Sequence, residues 1–227
     1  MSENKEYLPF VIKEGDIFSV GGFVRRDIVH SIFRIPHMSV NIVPIIRGTE
    51  KTILHKRSKK RKIDPHKYDF NGGHISYEPL LMGGPKAIEE SNDKTALRET
   101  REELAVSNDG RPYVLSSRDL TRFTKVGELV TGFDNLNSIN VGYMTGYILF
   151  IPADSTIIVT DENEDGTIEE LPYKEIEITE LISIFKEKPM DFASGATAVL
   201  KELSDPKSDA YNRFWQIINL NKNKKIN

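Results

Sequence analysis

The order of apolar and polar residues along the chain predicts strands mixed with helices. An apolar run from Val40 to Leu54, broken by polar residues at Arg47 to Thr49, predicts two strands joined by a turn. Segments rich in β-branched and aromatic residues predict further strands over Thr124 to Val130, Ser138 to Ile151 and Thr156 to Thr160. Apolar residues at helical spacing predict helices over Ile176 to Lys186, Ala196 to Leu203 and Tyr211 to Leu220. Together these elements indicate an α+β fold with a mixed sheet.

A further helix, Ala96 to Leu104, has two different faces. Its apolar residues form one stripe that would pack on the core. Glu99, Glu102 and Glu103 share another face, because residues three and four apart are neighbours on a helix. Three carboxylates so close repel one another, and a divalent cation would relieve the repulsion. Mg²⁺ is the expected ion, since it prefers oxygen ligands and usually binds through a few carboxylates together with substrate phosphates.

The start of this helix is predicted at Ser91. Serine is a favoured N-cap residue, since its hydroxyl oxygen accepts a hydrogen bond from a free backbone N–H of the first turn. Asp93 would then lie in that first turn, where the helix dipole favours a negative charge.

The run from Gly84 to Val106 resembles the Nudix hydrolase box, G-x5-E-x7-R-E-U-x-E-E-x-G-U, where U is apolar. The spacing is kept throughout, with Thr100 at an aliphatic position and Ala105 in place of a glycine. The remaining matches are Gly84, Glu90, Arg98, Glu99, Glu102, Glu103 and Val106. The resemblance implies a Nudix α/β/α sandwich with the box helix at the metal site.

The resemblance also implies roles for individual residues. Glu102 and Glu103 would ligate Mg²⁺, with Mn²⁺ as the alternative, and Glu99 would ligate the metal or act as a base on water. Arg98 would orient Glu99, and Glu90 would support the site. The implied reaction is substitution at phosphorus in a diphosphate, where metal ions neutralise charge and position water.

A passage upstream of the box, from Lys56 to Ile75, resembles the isopentenyl-diphosphate isomerase-like branch of the Nudix family. It offers Gly73 as a second candidate for the box glycine, although Glu90 then lies 17 positions away rather than six. If Gly73 is that glycine, Ser76 to Lys86 contains an insertion; if Gly84 is, the spacing needs no adjustment. Both alternatives stay open, and His74 is a candidate contact for substrate phosphate.

Two charged segments lie outside the box. Asp161 to Gly166 is an acidic turn, and the family often completes its metal site with a carboxylate from this region, for which Glu162 and Glu164 are the candidates. His55 to Lys62 is a basic run that would form an exposed loop. It would either hold an anionic substrate or simply be solvated.

Composition limits the classes of function. The chain has no cysteine, so neither a disulfide framework nor a Cys-ligated zinc site can form, and we expect a cytoplasmic protein. No signal peptide or apolar run of membrane-spanning length is visible, which predicts no membrane association. A net charge of −3 argues against general nucleic-acid binding.

The sequence therefore predicts a Mg²⁺-dependent Nudix pyrophosphohydrolase acting on a small nucleoside diphosphate derivative. The alternatives are a Nudix domain that binds a ligand without turnover, and a diphosphate isomerase. The isomerase is disfavoured, because that branch uses a catalytic cysteine and this chain has none. We expect residues 1–38 to form an N-terminal extension, 39–203 the Nudix domain and 204–227 a C-terminal helix with a basic tail. A homodimer is expected from the family.

Overall fold

The computed structural model describes residues 7–15, 17–30, 34–75, 85–132, 141–163 and 166–223, without the side chains of residues 85–87, 89 and 90. The strands within these ranges are β1 (Tyr7–Glu14), β2 (Ile17–Arg25), β3 (His37–Ile46), β4 (Lys51–Lys56), β5 (Tyr68–Asp69), β6 (Asn71–His74), β7 (Leu104–Asn108), β8 (Arg111–Tyr113), β9 (Leu120–Arg122), β10 (Leu129–Thr131), β11 (Gly142–Ile151), β12 (Thr156–Glu162), β13 (Ile168–Leu171) and β14 (Tyr173–Glu177). The helices are α1 (Arg26–Val29), α2 (Pro85–Glu103), α3 (Ile178–Glu187), α4 (Ser194–Leu203) and α5 (Asp209–Asn223), with a short 3-10 helix at Pro189–Asp191.

The first sheet is built around β3 and β11, which are parallel and in register from His37 beside Gly142 to Ile46 beside Ile151. Its main path is β10-β11-β3-β1-β2, and β4, β5, β6, β9 and β14 join it through antiparallel pairs. A parallel pair requires a long crossover, and the chain between β3 and β11 supplies α2 and part of the second sheet. That second sheet has the order β13-β12-β7-β8.

The central strands are buried on both faces, because each face of the first sheet is covered by another layer. In β3, Val43 and Ile45 belong to the core shared with α3, α4 and α5. Val40 and Ile42 point to the other side and pack with Ala96 of α2 and with the second sheet. Successive side chains of a strand point to opposite faces, so one strand contributes to both cores. The predicted α+β class and α/β/α layering are confirmed.

The described parts of the N-terminal and C-terminal segments pack on the first sheet and on the helical core. Hairpin β1–β2 extends the first sheet through the pairing of Phe10 with His37. At the other end, α5 contributes Ala210, Phe214 and Ile218 to the helical core. In the part of the chain that is described, no helix has both the length and the apolar character needed to cross a membrane.

The strand predicted over Thr124 to Val130 is wrong. The structure instead forms β9 and β10 with a turn between them, where Glu128 N donates to the carbonyl of Lys125 at 3.3 Å. Gly127 in that turn has φ +64°, a conformation that interrupts a strand and favours glycine. The other predicted strands and helices are confirmed within a few residues, except that α2 begins well before Ala96 and that the beginning of the segment from Ser138 lies outside the described residues.

The prediction of Ser91 as N-cap is also wrong. Helix α2 begins six residues earlier, at Pro85, and proline is favoured at a first helical position because it needs no N–H partner. Ser91 is fully buried inside the helix. Asp93 is not in the first turn, and its carboxylate accepts a 2.6 Å hydrogen bond from the hydroxyl of Tyr147 in β11. This bond ties α2 to the centre of the first sheet.

Candidate active site

Arg98 connects two of the predicted glutamates on α2. Its guanidinium forms ion pairs with Glu99 at 2.5 Å and with Glu102 at 2.7 Å. A further N–H donates to the carbonyl of His74 at the end of β6, 3.2 Å away. Burial lowers the pKa of Arg98, but the two carboxylates outweigh burial and leave the pKa above its usual range. Arg98 is therefore a permanent cation that holds both carboxylates and docks α2 on β6.

Glu103 occupies the last turn of α2 and is held from the first sheet. One carboxylate oxygen accepts hydrogen bonds from the side-chain amide of Asn71 at 3.1 Å and from the backbone N–H of Gly72 at 3.0 Å. Burial and the nearby charge of Glu99 together raise the pKa of Glu103 well above its usual range. Glu99 and Glu103 thus crowd negative charge into one recess. Asn71 was not among the residues predicted from the sequence.

Gly73 lies directly against Glu99. A Cβ atom on Gly73 would come within 2.1 Å of one carboxylate oxygen of Glu99, so any side chain there would displace the carboxylate. Of the two candidate box glycines, the structure therefore places Gly73 beside the glutamates. Gly84 lies outside the described residues, and Glu90 is described only as part of the α2 backbone.

The acidic turn contributes a different carboxylate from the two candidates. Asp161 is buried and lies close enough to raise the pKa of Glu103, whereas the adjacent Glu162 is exposed on the opposite face of β12. Glu164 lies outside the described residues. The Asp161 carboxylate is already engaged, by the Arg61 guanidinium and by the backbone N–H of Ser58 at 3.2 Å. It fastens the basic loop to β12.

Because of the Asp161–Arg61 ion pair, we expect the free energy of unfolding to depend on pH. Burial raises the pKa of Asp161, but Arg61 outweighs burial and leaves the pKa below its usual range. A carboxyl with a lowered folded-state pKa stabilises the fold above its unfolded pKa, near 4, and loses that stabilisation as the pH falls through the folded value. Asp161→Asn should therefore cost about 3 kcal/mol of unfolding free energy at pH 7.

Urea unfolding at pH 7 and pH 3 measures this effect. The difference between wild type and Asp161→Asn should shrink at the lower pH, where the wild-type carboxyl begins to take up a proton. Asp154→Asn, on an exposed turn, is the matched control with little expected change. A difference that stays constant with pH would contradict the assignment.

Three histidines meet beside the glutamates. His30 follows α1, His37 begins β3 and His74 ends β6, and one ring nitrogen from each lies within 4.8 Å of the other two. The Nε2 atoms of His30 and His74 are 3.1 Å apart, and Nδ1 of His37 lies 3.3 Å from the carbonyl of Ile35. Burial, with neighbouring positive charge, lowers the pKa of His30 to about 3 and that of His74 well below its usual value.

Neutral imidazoles are ligands for transition metals such as zinc, copper and nickel. The ring of His74 faces the rings of His30 and His37, while the backbone carbonyl of His74 accepts the hydrogen bond from Arg98. From the sequence, only His74 was predicted to have a role, as a phosphate contact. His30 and His37 could have been found only as two histidines seven positions apart, a weak signal without the 44-residue contact to His74.

Cobalt binding tests the histidine cluster. We expect Co²⁺ to give visible d–d absorption typical of nitrogen ligation, and His30→Ala to abolish most of it, because removing one of three ligands leaves an incomplete site. His66→Ala changes an exposed histidine and serves as the control. Equal absorption in the wild type and His30→Ala would show that the three rings do not bind the metal together.

The glutamate face of α2 suits a divalent cation that prefers oxygen ligands, unlike the transition metals that imidazoles bind. Its donors are carboxylate oxygens, which Mg²⁺ and Mn²⁺ prefer, and a cation would relieve the repulsion between the neighbouring carboxylates of Glu99 and Glu103. Glu102 extends from the same face and is 55% exposed, so it can reach a ligand from solvent. A cation bound to these carboxylates could also bind the phosphate oxygens of a substrate from the solvent side.

Comparison with known proteins shows a shared fold at low sequence identity. Neither a protein-family model nor a curated protein matches the sequence. Among solved structures, DR0079 from Deinococcus radiodurans aligns over 86% of this chain and 98% of its own, with 18% identity and a TM-score of 0.54. That similarity establishes the overall fold.

Two further solved structures are weaker matches. A Nudix hydrolase from Alicyclobacillus acidocaldarius aligns over 74% of this chain and 91% of its own, with 15% identity and a TM-score of 0.47. A bifunctional NMN adenylyltransferase/ADP ribose pyrophosphatase from Francisella tularensis, complexed with AMP and a manganese ion, aligns over 78% of this chain and 46% of its own, with 12% identity and a TM-score of 0.48.

Proposed function

We propose that this chain is a Nudix hydrolase that uses Mg²⁺, or Mn²⁺ in its place, to cleave the diphosphate linkage of a nucleoside diphosphate derivative. The observation that carries the proposal is the arrangement of Glu99 and Glu103 in one recess, with Gly73 against the first and Asn71 bonded to the second. A sequence match alone would leave the glutamates as a solvated helix face. The structure instead gives each of them a specific contact.

Each group of the recess has a defined task in this proposal. Arg98 holds Glu99 by an ion pair, so that the carboxylate is positioned either to ligate the metal or to accept a proton from an attacking water. Asn71 and Gly72 fix Glu103 from β6, so that the carboxylate does not rotate when charge changes nearby. A metal bound to Glu99, Glu102 and Glu103 would neutralise phosphate charge and position substrate and water.

The two alternatives predicted from the sequence are less well supported. A domain that binds a ligand without turnover would need no base for an attacking water, a role for which Arg98 positions Glu99. An isomerase would need a catalytic cysteine, and the chain has none. We therefore keep hydrolysis as the proposed reaction.

Product analysis by mass spectrometry in ¹⁸O-labelled water tests the proposal. Candidate substrates are nucleoside diphosphate sugars, dinucleoside polyphosphates and nucleoside triphosphates, each with Mg²⁺, with Mn²⁺ and with chelator. Hydrolysis at a diphosphate linkage should incorporate one ¹⁸O into a phosphate product and should stop with chelator. A folded protein that releases no product from any class under these conditions would contradict turnover.

A further inference from the structure

A cavity of about 590 Å³ lies at the basic loop after β4. It is bounded by the end of β4, the basic loop that follows, and the turn between β13 and β14. Ligand sites in proteins commonly have volumes of about 300–1,000 Å³. The residues that line it are Leu54, Lys56, Arg57, Ser58, Lys59, Lys60, His66, Tyr68, Glu169, Leu171, Pro172, Tyr173 and Lys174.

The wall of this cavity is strongly basic. Four lysines and an arginine line it, against a single carboxylate from Glu169. That carboxylate already accepts a 2.8 Å hydrogen bond from the hydroxyl of Ser58. Within the described part of the chain, none of the four lysines forms an ion pair with a carboxylate. Like charges gathered without partners repel one another, and an anionic ligand would relieve the repulsion.

The basic loop is held in place by residues other than its lysines. Arg61 pairs with Asp161, and Arg57 pairs with Asp69 at 2.8 Å. Asp64 accepts a 2.8 Å hydrogen bond from the backbone N–H of Ser194 at the start of α4. The run predicted as an exposed loop is thus partly buried, with Ser58 only 3% exposed. The arginines and acids fix the backbone, which leaves Lys59 and Lys60 available for a ligand.

Two further lysines are positioned by an aromatic ring. The ammonium groups of Lys56 and Lys174 lie 4.7 Å and 4.8 Å from the centre of the Tyr68 ring. Cation–π attraction at these distances holds an ammonium group without neutralising its charge. Tyr68 therefore supports the two lysines on one wall of the cavity.

Two residues that line the cavity, Arg57 and Ser58, also interact with carboxylates at the glutamate recess. Arg57 lies within electrostatic reach of Glu103, and the backbone N–H of Ser58 binds Asp161. The Nε atom of Arg57 is buried and has no hydrogen-bond partner among the described residues. A ligand in the cavity could supply that partner while another part of the same molecule lies at the glutamates.

We propose that this cavity binds a phosphate group of the substrate that is separate from the diphosphate held at Glu99, Glu102 and Glu103. The inference rests on the proposed hydrolase function and narrows its substrate class to nucleoside diphosphate derivatives that carry an additional phosphomonoester. Such a group has a charge near −2 and several acceptor oxygens, which matches a wall of lysines. The exposed ring of Pro172 would contact the sugar that carries it.

Matched ligand pairs test the phosphate site. Coenzyme A and dephospho-coenzyme A, like NADPH and NADH, contain a diphosphate linkage and differ by one phosphomonoester. Binding to the Glu102→Gln protein should be measured by calorimetry with Mg²⁺, and hydrolysis by the wild type should be measured separately. We expect the phosphorylated member of each pair to bind about tenfold more tightly, since hydrogen bonds between charged groups are stronger than those between neutral groups.

The cavity variant is Lys59→Ala combined with Lys60→Ala, added to the same Glu102→Gln background. It should lose about tenfold in affinity for the phosphorylated member and less than about twofold for the other. Lys186→Ala combined with Lys188→Ala removes the same charge from exposed positions on α3 and its end, and should change neither affinity. This control separates local contacts from a change in net charge.

The outcomes distinguish the two proposals. Preference for the phosphorylated members without hydrolysis of any ligand would support the phosphate site and count against the hydrolase. Hydrolysis without any such preference, or an equal loss in cavity and control variants, would overturn the phosphate site and leave the hydrolase standing. Failure of both pairs to bind would overturn the phosphate site as well.

Discussion

Glu102→Gln should lower kcat by about 10²–10³-fold while the protein stays folded. The substitution removes a negative charge from the proposed metal site but keeps the shape of the side chain, so loss of electrostatic stabilisation is the expected cause. The Glu102 side chain is 55% exposed and its described partner is Arg98, also on the surface of α2. Surface ion pairs contribute little, so the free energy of unfolding should change by less than about 1 kcal/mol.

Steady-state kinetics on the substrate class found by mass spectrometry, together with thermal unfolding, measure both effects. Glu187→Gln, at the exposed end of α3 in the opposite layer, is the matched control and should leave kcat unchanged. Raising the Mg²⁺ concentration should partly restore Glu102→Gln if weakened metal affinity contributes to the loss. Wild-type turnover in Glu102→Gln at low Mg²⁺ would remove this glutamate from the reaction.

Gly73→Ala should reduce kcat by about 10²-fold, although the new side chain is a single methyl group. Its Cβ would lie 2.1 Å from Oε1 and 2.2 Å from the carboxyl carbon of Glu99, so the carboxylate must move. Misplacement of a reacting group by about 1 Å can cost about 10²-fold in rate. The expected change is in kcat more than in KM, because the proposed base moves while the phosphate contacts remain.

Gly146→Ala separates misplacement from general strain. A Cβ there would come within 2.6 Å of the Phe123 ring in the helical core, on the other side of the first sheet from α2. Overpacking of this kind costs about 1–3 kcal/mol of stability. We expect Gly146→Ala to lower the melting temperature yet retain the kcat of its folded fraction. A similar loss of kcat in both variants would show that strain, rather than the position of Glu99, limits turnover.

The local sequence pattern was sufficient to predict features that depend on interactions between residues close together in the chain. The spacing from Arg98 to Glu103 puts its carboxylates on one face of any α-helix, because that face is set by the helical repeat. The apolar run around Val40 predicted buried strands for the same reason, and both β3 and β4 form there. The fold class followed from these periodicities, and the box spacing suggested the chemistry.

The local sequence pattern was insufficient to predict which of two adjacent residues faces the site, or at which residue a helix begins. Glu162 and Asp161 are neighbours in one acidic run, but a strand points them to opposite sides, and Asp161 is the one near Glu103. Helix α2 begins at Pro85 rather than Ser91, and Ile88 in the added part packs in one buried cluster with Met38 of the first sheet. Propensity gives such boundaries only approximately.

The sequence by itself determined the mixture of strands and helices, the carboxylate face of α2 and the basic composition of the loop after β4, whereas the layering was implied only by the family resemblance. Tertiary structure decided which groups those features meet. It placed Gly73 against Glu99, brought His30 to His74 across 44 positions, and joined Ser58 to Asp161 across 103. The physical reason is that side-chain contacts depend on how strands pair and pack, and that pairing is set by the whole core rather than by neighbouring residues.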